Sequence, residues 1–313
     1  MTVHRVDGDS LDSRTRSVLD AAAARLGVSA QDARLLRLHG NASYALPSAG
    51  LVIRIATNPQ VLGPVTASIE VTRWLASRGF PCIVPADIND QPFVIAGYVV
   101  SVWQYVPTIE APAPTSGEMG DILRELHAHG DPPYPLPSLD DPFASVTAAI
   151  SQAPDAMSPA SRSWLENRIT SLRQQWSALD FPRPAGLIHG DAHIGNLMRA
   201  ASGQAVLGDW DHVASGPREW DLVQIHYMDR RFGRAGKDGI DAFAGAYGWD
   251  IRTWPGLDTL IEIREIWGLR PYIRTAPGRP SYRRQLAYRL HTLQSGDTQA
   301  RWELAQPLGR RSS

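Results

Sequence analysis

Leu187-Ile-His-Gly-Asp-Ala-His-Ile-Gly-Asn-Leu-Met198, answered by Val206-Leu-Gly-Asp-Trp-Asp211, is the pair of stretches from which the rest of the chain can be read. Each is a short apolar run ending in polar residues, the pattern of a strand that delivers side chains to a tip. Asp191 and Asn196 stand five residues apart across a turn containing Gly195, and Asp209 follows thirteen residues later. A carboxylate, an amide and a second carboxylate on neighbouring tips are what phosphoryl transfer uses. One carboxylate takes the proton of the acceptor hydroxyl; the amide oxygen and the other carboxylate suit Mg2+, a hard cation that prefers oxygen. Either motif alone would read as a turn whose Asp or Asn bonds local backbone. Both together, in this order and with apolar flanks, favour the metal-assisted site.

Composition sets the frame for that site. The chain has 313 residues, enough for one large domain or two lobes each with its own core. Its 43% hydrophobic and 20% charged content is that of an ordinary soluble globular protein. A formal net charge of −1 gives no global attraction to nucleic acid or to an anionic membrane, and neither is expected as a partner. No apolar run approaches the ~18 residues that span a bilayer, and the start, Met1-Thr-Val-His-Arg-Val, is too polar for a secretory signal. Cys82 is the only cysteine, so no intrachain disulfide forms, and a cytoplasmic setting is expected. Lys237 is the only lysine; the other basic side chains are arginines.

The order of elements expected along the chain is a helix, a set of short strands, then helices. Ser10 to Leu26 reads as a helix with Ser10 as N-cap and Gly27 beyond its last turn. Strands are expected at 34–38, 43–46, 51–56, 91–95 and 98–103, and a helix at 65–77 that Gly79 and Pro81 terminate. Within the strand at 51–56, Arg54 shares a face with Val52 and Ala56. The chain leaves the last strand through Gln104-Tyr-Val-Pro107 into a Pro-rich connector, a natural lobe boundary. Glu118–Ala128 is the first helix beyond it. Ser158–Leu179 carries the stripe Leu165, Ile169, Leu172, Trp176 at i, i+4, i+7, i+11, which is core spacing. The segment 222–301 is helical in pattern, and no internal repeat is present.

The run His189-Gly190-Asp191…Asn196…Asp209-Trp210-Asp211 resembles the catalytic and metal loops of the aminoglycoside phosphotransferase family, which includes choline-kinase-like and other small-molecule kinases. The resemblance covers about residues 35 to 300. It implies an α+β, bilobal, protein-kinase-like fold: an N-terminal lobe of antiparallel sheet with a helix (1–104) and a mainly helical C-terminal lobe (105–313). It implies an enzyme that uses ATP or GTP with Mg2+ to phosphorylate a hydroxyl of a small molecule, an antibiotic or a metabolite. Asp191 would be the catalytic base, with Asn196 and Asp209 holding the metal. Arg54 would contact the nucleotide phosphates, paired with Glu70 on the next helix. His39-Gly40-Asn41-Ala42-Ser43 would be the phosphate-covering loop, with Ser43 at the nucleotide, and Gln104 and Val106 would offer backbone groups to adenine. Asp221 would steady the catalytic loop.

Other side chains read as structural. His127 and His189 are expected to be packed; His193 is expected to bond its own loop, with an approach to the phosphate as the other reading, and Asp211 to be a local turn carboxylate, with support of the metal site as the other reading. The sequence has no C-x-x-C, H-E-x-x-H, G-x-S-x-G or Walker-type motif. A transition-metal site at His189, Asp191 and His193 is disfavoured by the oxygen donors Asn196 and Asp209. A protein-substrate kinase is disfavoured because no activation segment follows Asp209. The reading from another class is a nucleotide-binding pseudokinase acting as an interaction module, supported by the single-glycine loop and by Arg at position 54. For the acceptor, Arg230, Arg231, Arg234, Arg264, Arg270 and Arg274 are expected to face it, which points to a neutral or anionic molecule rather than a polycation.

Overall fold

The computed structural model describes residues 8–39, 41–56, 58 and 61–303. The first helix, α1 (Gly8–Leu26), starts two residues before the expected Ser10, and Gly27 follows it at φ +68°. Five strands then form one antiparallel sheet: β1 (Arg34–His39), β2 (Asn41–Leu46), β3 (Leu51–Ala56), β4 (Phe93–Ile95) and β5 (Tyr98–Gln104), in the order β1-β2-β3-β5-β4. Between β3 and β4 lies α2 (Leu62–Ala76). The strand at 43–46 is longer than expected because pairing with β3 continues to Asn41–Ala56. Ser43 is therefore a strand residue rather than the end of a loop. Gly40 and the side chain of His39, which complete the expected phosphate-covering loop, lie outside the described residues.

Alternation divides this sheet cleanly. Ile53, Ile55, Val100 and Val102 are fully buried beneath Val18, Leu19, Ala22 and Ala23 of α1. The opposite face carries Ala56, Val99 and Trp103, which pack with Val65 and Ile69 of α2. On that second face the register sets Arg37 opposite Ser43 and Ser43 opposite Arg54. Three polar side chains thus form a row across three strands.

The rest of the chain is mainly helical: α3 (Ser116–Ala128), α4 (Ala144–Gln152), α5 (Pro159–Ala178), α6 (Glu219–Phe232), α7 (Gly236–Tyr247), α8 (Leu257–Trp267), α9 (Arg270–Thr275) and α10 (Pro280–Gln294). A reciprocal capping box starts α3, with Glu118 N–H donating to Thr115 Oγ1 and Thr115 N–H to the Glu118 carboxylate. Gly120 lets α3 approach α7, since a Cβ there would come within 2.5 Å of the Phe243 carbonyl. The stripe expected on α5 is real, with Leu165, Ile169 and Leu172 at most 2% exposed. Each contributes roughly 2 kcal/mol of burial. Two ribbons cross the helices: β6 (Gly186–Ile188) with β9 (Ala214–Gly216), and β7 (Leu197–Arg199) with β8 (Ala205–Leu207). Their tips carry the Asp191 and Asp209 turns. Among the described residues no helix is long and apolar enough to cross a membrane.

Candidate active site

The loop from His189 to Asn196 is held from beneath. The Asp221 carboxylate, at the start of α6 and 1% exposed, accepts the backbone N–H groups of His189 (2.7 Å) and Gly190 (2.8 Å). Its second anchor is His127, whose ring reaches Asp221 at 3.2 Å and the Tyr247 hydroxyl at 2.9 Å. His127 therefore does more than pack: it fixes the carboxylate that fixes the loop. His189 donates from Nε2 to the Gly208 carbonyl (2.9 Å), and its Nδ1 accepts the Asp191 N–H (3.3 Å). Both ring nitrogens are in use within the protein, so this ring is a brace between the two turns. Gly190, at φ +83°, has no room for a Cβ, which would meet the His212 carbonyl at 2.1 Å.

Asp191 projects from this loop with its two oxygens in different environments. Oδ1 accepts from Arg264 Nη2 (2.9 Å) and from Gln224 Nε2 (3.0 Å). Among the described residues Oδ2 has no hydrogen-bond donor; the nearest ring nitrogen, Nε2 of His193, is 4.0 Å away. His193 bonds its own loop, accepting the Gly195 N–H at Nδ1 (3.1 Å). Arg264, fully buried on α8, also donates to Gln224 Oε1 and to the Gly190 carbonyl (3.1 Å), and its guanidinium lies over Trp220 and Trp267 at 4.6 and 4.4 Å. Burial alone would raise the Asp191 carboxyl. The fields of His193, Arg264 and His212 reverse this and hold it well below the usual carboxylate range. Of these three, only Arg264 is a permanent cation, because burial lowers His193 and brings His212 down to about 4.

A pH dependence follows with a definite sign. With Arg264 present the carboxyl of Asp191 stays ionised through the whole neutral and mildly acid range. In Arg264→Met the burial contribution remains and the counter-charge is gone, so the carboxyl rises. The acid limb of the kcat/KM profile is then expected to move to higher pH, while the alkaline limb stays in place. Removing one partner of a buried pair also destabilises by about 3 kcal/mol, read as an earlier denaturant midpoint. A merely structural arginine would give the second effect without the first.

The other turn faces the sheet. Asp209 has φ +59°, a left-handed conformation uncommon outside glycine, which carries its carboxylate out of the loop. Arg37 Nη1 donates to Asp209 Oδ2 at 2.7 Å, and Arg54 Nη2 stands 3.7 Å from Oδ1. Asn196 spends its amide N–H on the Asp191 carbonyl (2.9 Å), which leaves its amide oxygen for another partner. The Asn196 carbonyl accepts the Gly208 N–H (2.9 Å), so Asn196 and Asp209 stand at the same end of one ribbon.

Two sequence readings change here. Arg54 does not pair with Glu70: it donates through both terminal nitrogens to Asp211, while Glu70 is exposed on α2 and forms no ion pair among the described residues. The register of β3 aims Arg54 at the 209–211 turn; α2 packs on that same face through Val65 and Ile69, but Glu70 sits on its exposed side. Asp211, for the same reason, is not a local turn carboxylate. It takes Arg54 and the Asn41 amide (3.1 Å) and so joins the helical part of the chain to the sheet. Ser43 sits between Arg37 and Arg54 in the polar row. The Gln104 N–H is taken by the Val84 carbonyl (2.8 Å), leaving only its C=O, whereas the Val106 N–H has no partner among the described residues. Cys82 is buried, which pushes its thiol up to about 12 and makes it inert at neutral pH. Arg37, Gln224 and His212 were not singled out from the sequence, and Asn41 was named only as part of the phosphate-covering loop. For Gln224 and Arg264 a signal existed, a polar residue on the apolar face of an amphipathic helix.

Residues 20–260 match the phosphotransferase enzyme family, APH, and the chain belongs to that family. Comparison with curated protein sequences gives no match. Among solved structures it is similar to an amicoumacin kinase in complex with AMP-PNP, Ca2+ and Ami, with a TM-score of 0.67 and 12% identity over 92% of this chain and 95% of that one. It is also similar to a choline/ethanolamine kinase family protein from Mesorhizobium loti (TM-score 0.61, 16% identity, 90% and 96% covered). A third is the GDP and kanamycin complex of APH(2")-IIia (TM-score 0.60, 15% identity, 90% and 99% covered). These identities speak for the fold, which is bilobal and kinase-like.

Proposed function

We propose that this phosphotransferase moves the γ-phosphoryl group of ATP, or of GTP, to a hydroxyl of a small molecule, with Asp191 as the base. The observation that carries this reading is the asymmetry of Asp191: Oδ1 is saturated by Arg264 and Gln224, while Oδ2, ionised, has no donor among the described residues and can receive a proton. The hydroxyl oxygen bonds to the γ-phosphorus as the bond from that phosphorus to the β,γ-bridging oxygen breaks. The nucleoside diphosphate leaves, and the hydroxyl proton passes to Asp191 Oδ2. Most of the acceleration would come from positioning and charge neutralisation. Relatives in the fold were solved with AMP-PNP and with GDP, which supports nucleotide use without choosing the base.

Mg2+ fits the donor set. Asp209 and Asn196 offer a carboxylate and an amide oxygen, and the Asp209 position already attracts two cationic side chains from the sheet. When bound, the metal supplies charge neutralisation at the β- and γ-phosphates. Arg37, Ser43 and Arg54 would meet those phosphates from the sheet, while the Gln104 carbonyl and Val106 N–H would meet the base at a hinge between lobes 1–104 and 105–313. Glu70 has no part in this arrangement. The setting expected for such an enzyme is cytoplasmic.

The test is a nucleotide-consumption screen over hydroxylated metabolites and antibiotics, followed by mass spectrometry of the product. Gain of one phosphoryl group on an organic hydroxyl supports the reading. The pseudokinase alternative draws on one observation, the capture of Arg54 by Asp211. It would be favoured by tight nucleotide binding with no turnover across the whole screen.

A further inference from the structure

The charges on the C-terminal side of Asp191 are mostly spoken for. Arg231 is tied to Glu265 at 2.6 Å in a buried pair, and Arg230 to Asp258 at 2.5 Å on the surface. Glu262 takes Arg168 at 2.5 Å, and Asp229 accepts the backbone N–H groups of Gly236 (2.7 Å) and Ala235 (3.3 Å). The acids that would make a pocket for a polycation are thus committed elsewhere. Arg264 is committed to the base itself.

Arg270 is different. It stands at the start of α9, partly buried, with its guanidinium carbon over the Trp267 ring at 4.0 Å. Nη1 donates to Ser145 Oγ at 3.3 Å, across to α4. Nη2 lies 3.3 Å from Nε2 of His212. A guanidinium has no lone pair to offer, so the imidazole nitrogen must be the acceptor and the ring is neutral. Both partners are long and uncharged, and among the described residues Arg270 forms no ion pair. The charges that bear on it are Asp191 and Asp211 on one side and Arg264 and Arg274 on the other. The indole beneath it and the bonds to Ser145 and His212 hold the fork in place, and a fork so held is suited to bidentate capture of a planar or tetrahedral oxyanion. His212 follows directly on the metal turn, and its carbonyl abuts Gly190, so this fork lies beside the loop that presents Asp191.

We propose that the acceptor is an anion, and that Arg270, with His212 and Ser145 beside it, receives its carboxylate or phosphate group while a hydroxyl of the same molecule meets Asp191. This rests on the phosphotransferase reading and narrows it: the acceptor carries both a hydroxyl and a negative charge.

The test offers the full chain, with ATP and Mg2+, pairs of acceptors that differ by one anionic group: ribose 5-phosphate with ribose, gluconate with glucose, glycerate with glycerol. The first pair tests phosphate and the other two carboxylate. Transfer is followed by mass spectrometry for the wild type, Arg270→Gln and Arg270→Lys. The anionic member of at least one pair is expected to be favoured in kcat/KM by on the order of 10²-fold. Arg270→Gln should bring that ratio near unity by raising KM for the anion, with KM for ATP unchanged. Arg270→Lys, a charge without a fork, should keep part of it; should the Gln variant melt early, the Lys variant carries the comparison. Preference for the neutral member or for kanamycin, or an anion preference that survives both substitutions, overturns the anion subsite and leaves the phosphotransferase standing. Nucleotide that binds but is consumed with no acceptor overturns both.

Discussion

Asp191→Asn is expected to lower turnover by roughly 10²–10⁴-fold, the range for loss of a general base. The amide keeps an oxygen for Arg264 and Gln224, so the side chain should hold its place, but it cannot take a proton. That loss corresponds to about 3–5 kcal/mol of transition-state stabilisation. Nucleotide affinity should change little, because neither Arg37 nor Arg54 depends on Asp191 for its position. A variant with near wild-type kcat on its true acceptor would remove Asp191 from the mechanism.

Asp209→Ala is expected to abolish metal-dependent nucleotide turnover while leaving the fold intact. The carboxylate has no structural partner that cannot spare it: Arg37 is 57% exposed in its side chain and returns to water, and Arg54 keeps Asp211. The thermal midpoint should therefore stay close to wild type. Water alone would not replace the carboxylate that would hold the metal, so raising Mg2+ should restore little. Asp211→Ala should give a different result. It frees Arg54 and Asn41, and its effect is expected on KM for the nucleotide more than on the metal requirement. If the two variants exchanged these behaviours in a Mg2+ titration, the metal ligand would be Asp211.

The parts of this site that were legible in the sequence are the local ones. The His189–Asn196 turn and the Asp209 turn each depend on residues close in sequence and on apolar flanks that make short strands; the anchor at Asp221, which reaches back 32 residues to His189, came only with the family resemblance. The stripe of α5 was equally plain, since three buried aliphatics at helical spacing admit one reading. What failed were the long-range pairings. Arg54 and Asp211 are 157 residues apart, and nothing near either one reveals the other. Glu70 was chosen because it lies on the next helix, but it sits on the exposed side of that helix while Asp211 takes Arg54. Helix α4 also went unread: Ala144-Ser-Val-Thr-Ala-Ala-Ile-Ser-Gln152 has no charge pattern to mark its exposed side. Arg264 was read as facing the acceptor because it falls among the arginines of the segments expected to line that side. Its position between Leu260, Ile261, Ile263 and Ile266, all on the buried side of α8, was the sign that it turned inward.

The central claim, that Asp191 activates a hydroxyl for attack on the γ-phosphorus, is tested most directly by single-turnover transfer from γ-labelled ATP, with wild type and Asp191→Asn run side by side on the acceptor found by the screen. The label is expected in an organic phosphate ester with wild type, and formation of that ester should be slowed by at least about 10²-fold in the variant at equal nucleotide occupancy. Label appearing as inorganic phosphate or on the protein itself, or ester formed equally fast by both proteins, would contradict it.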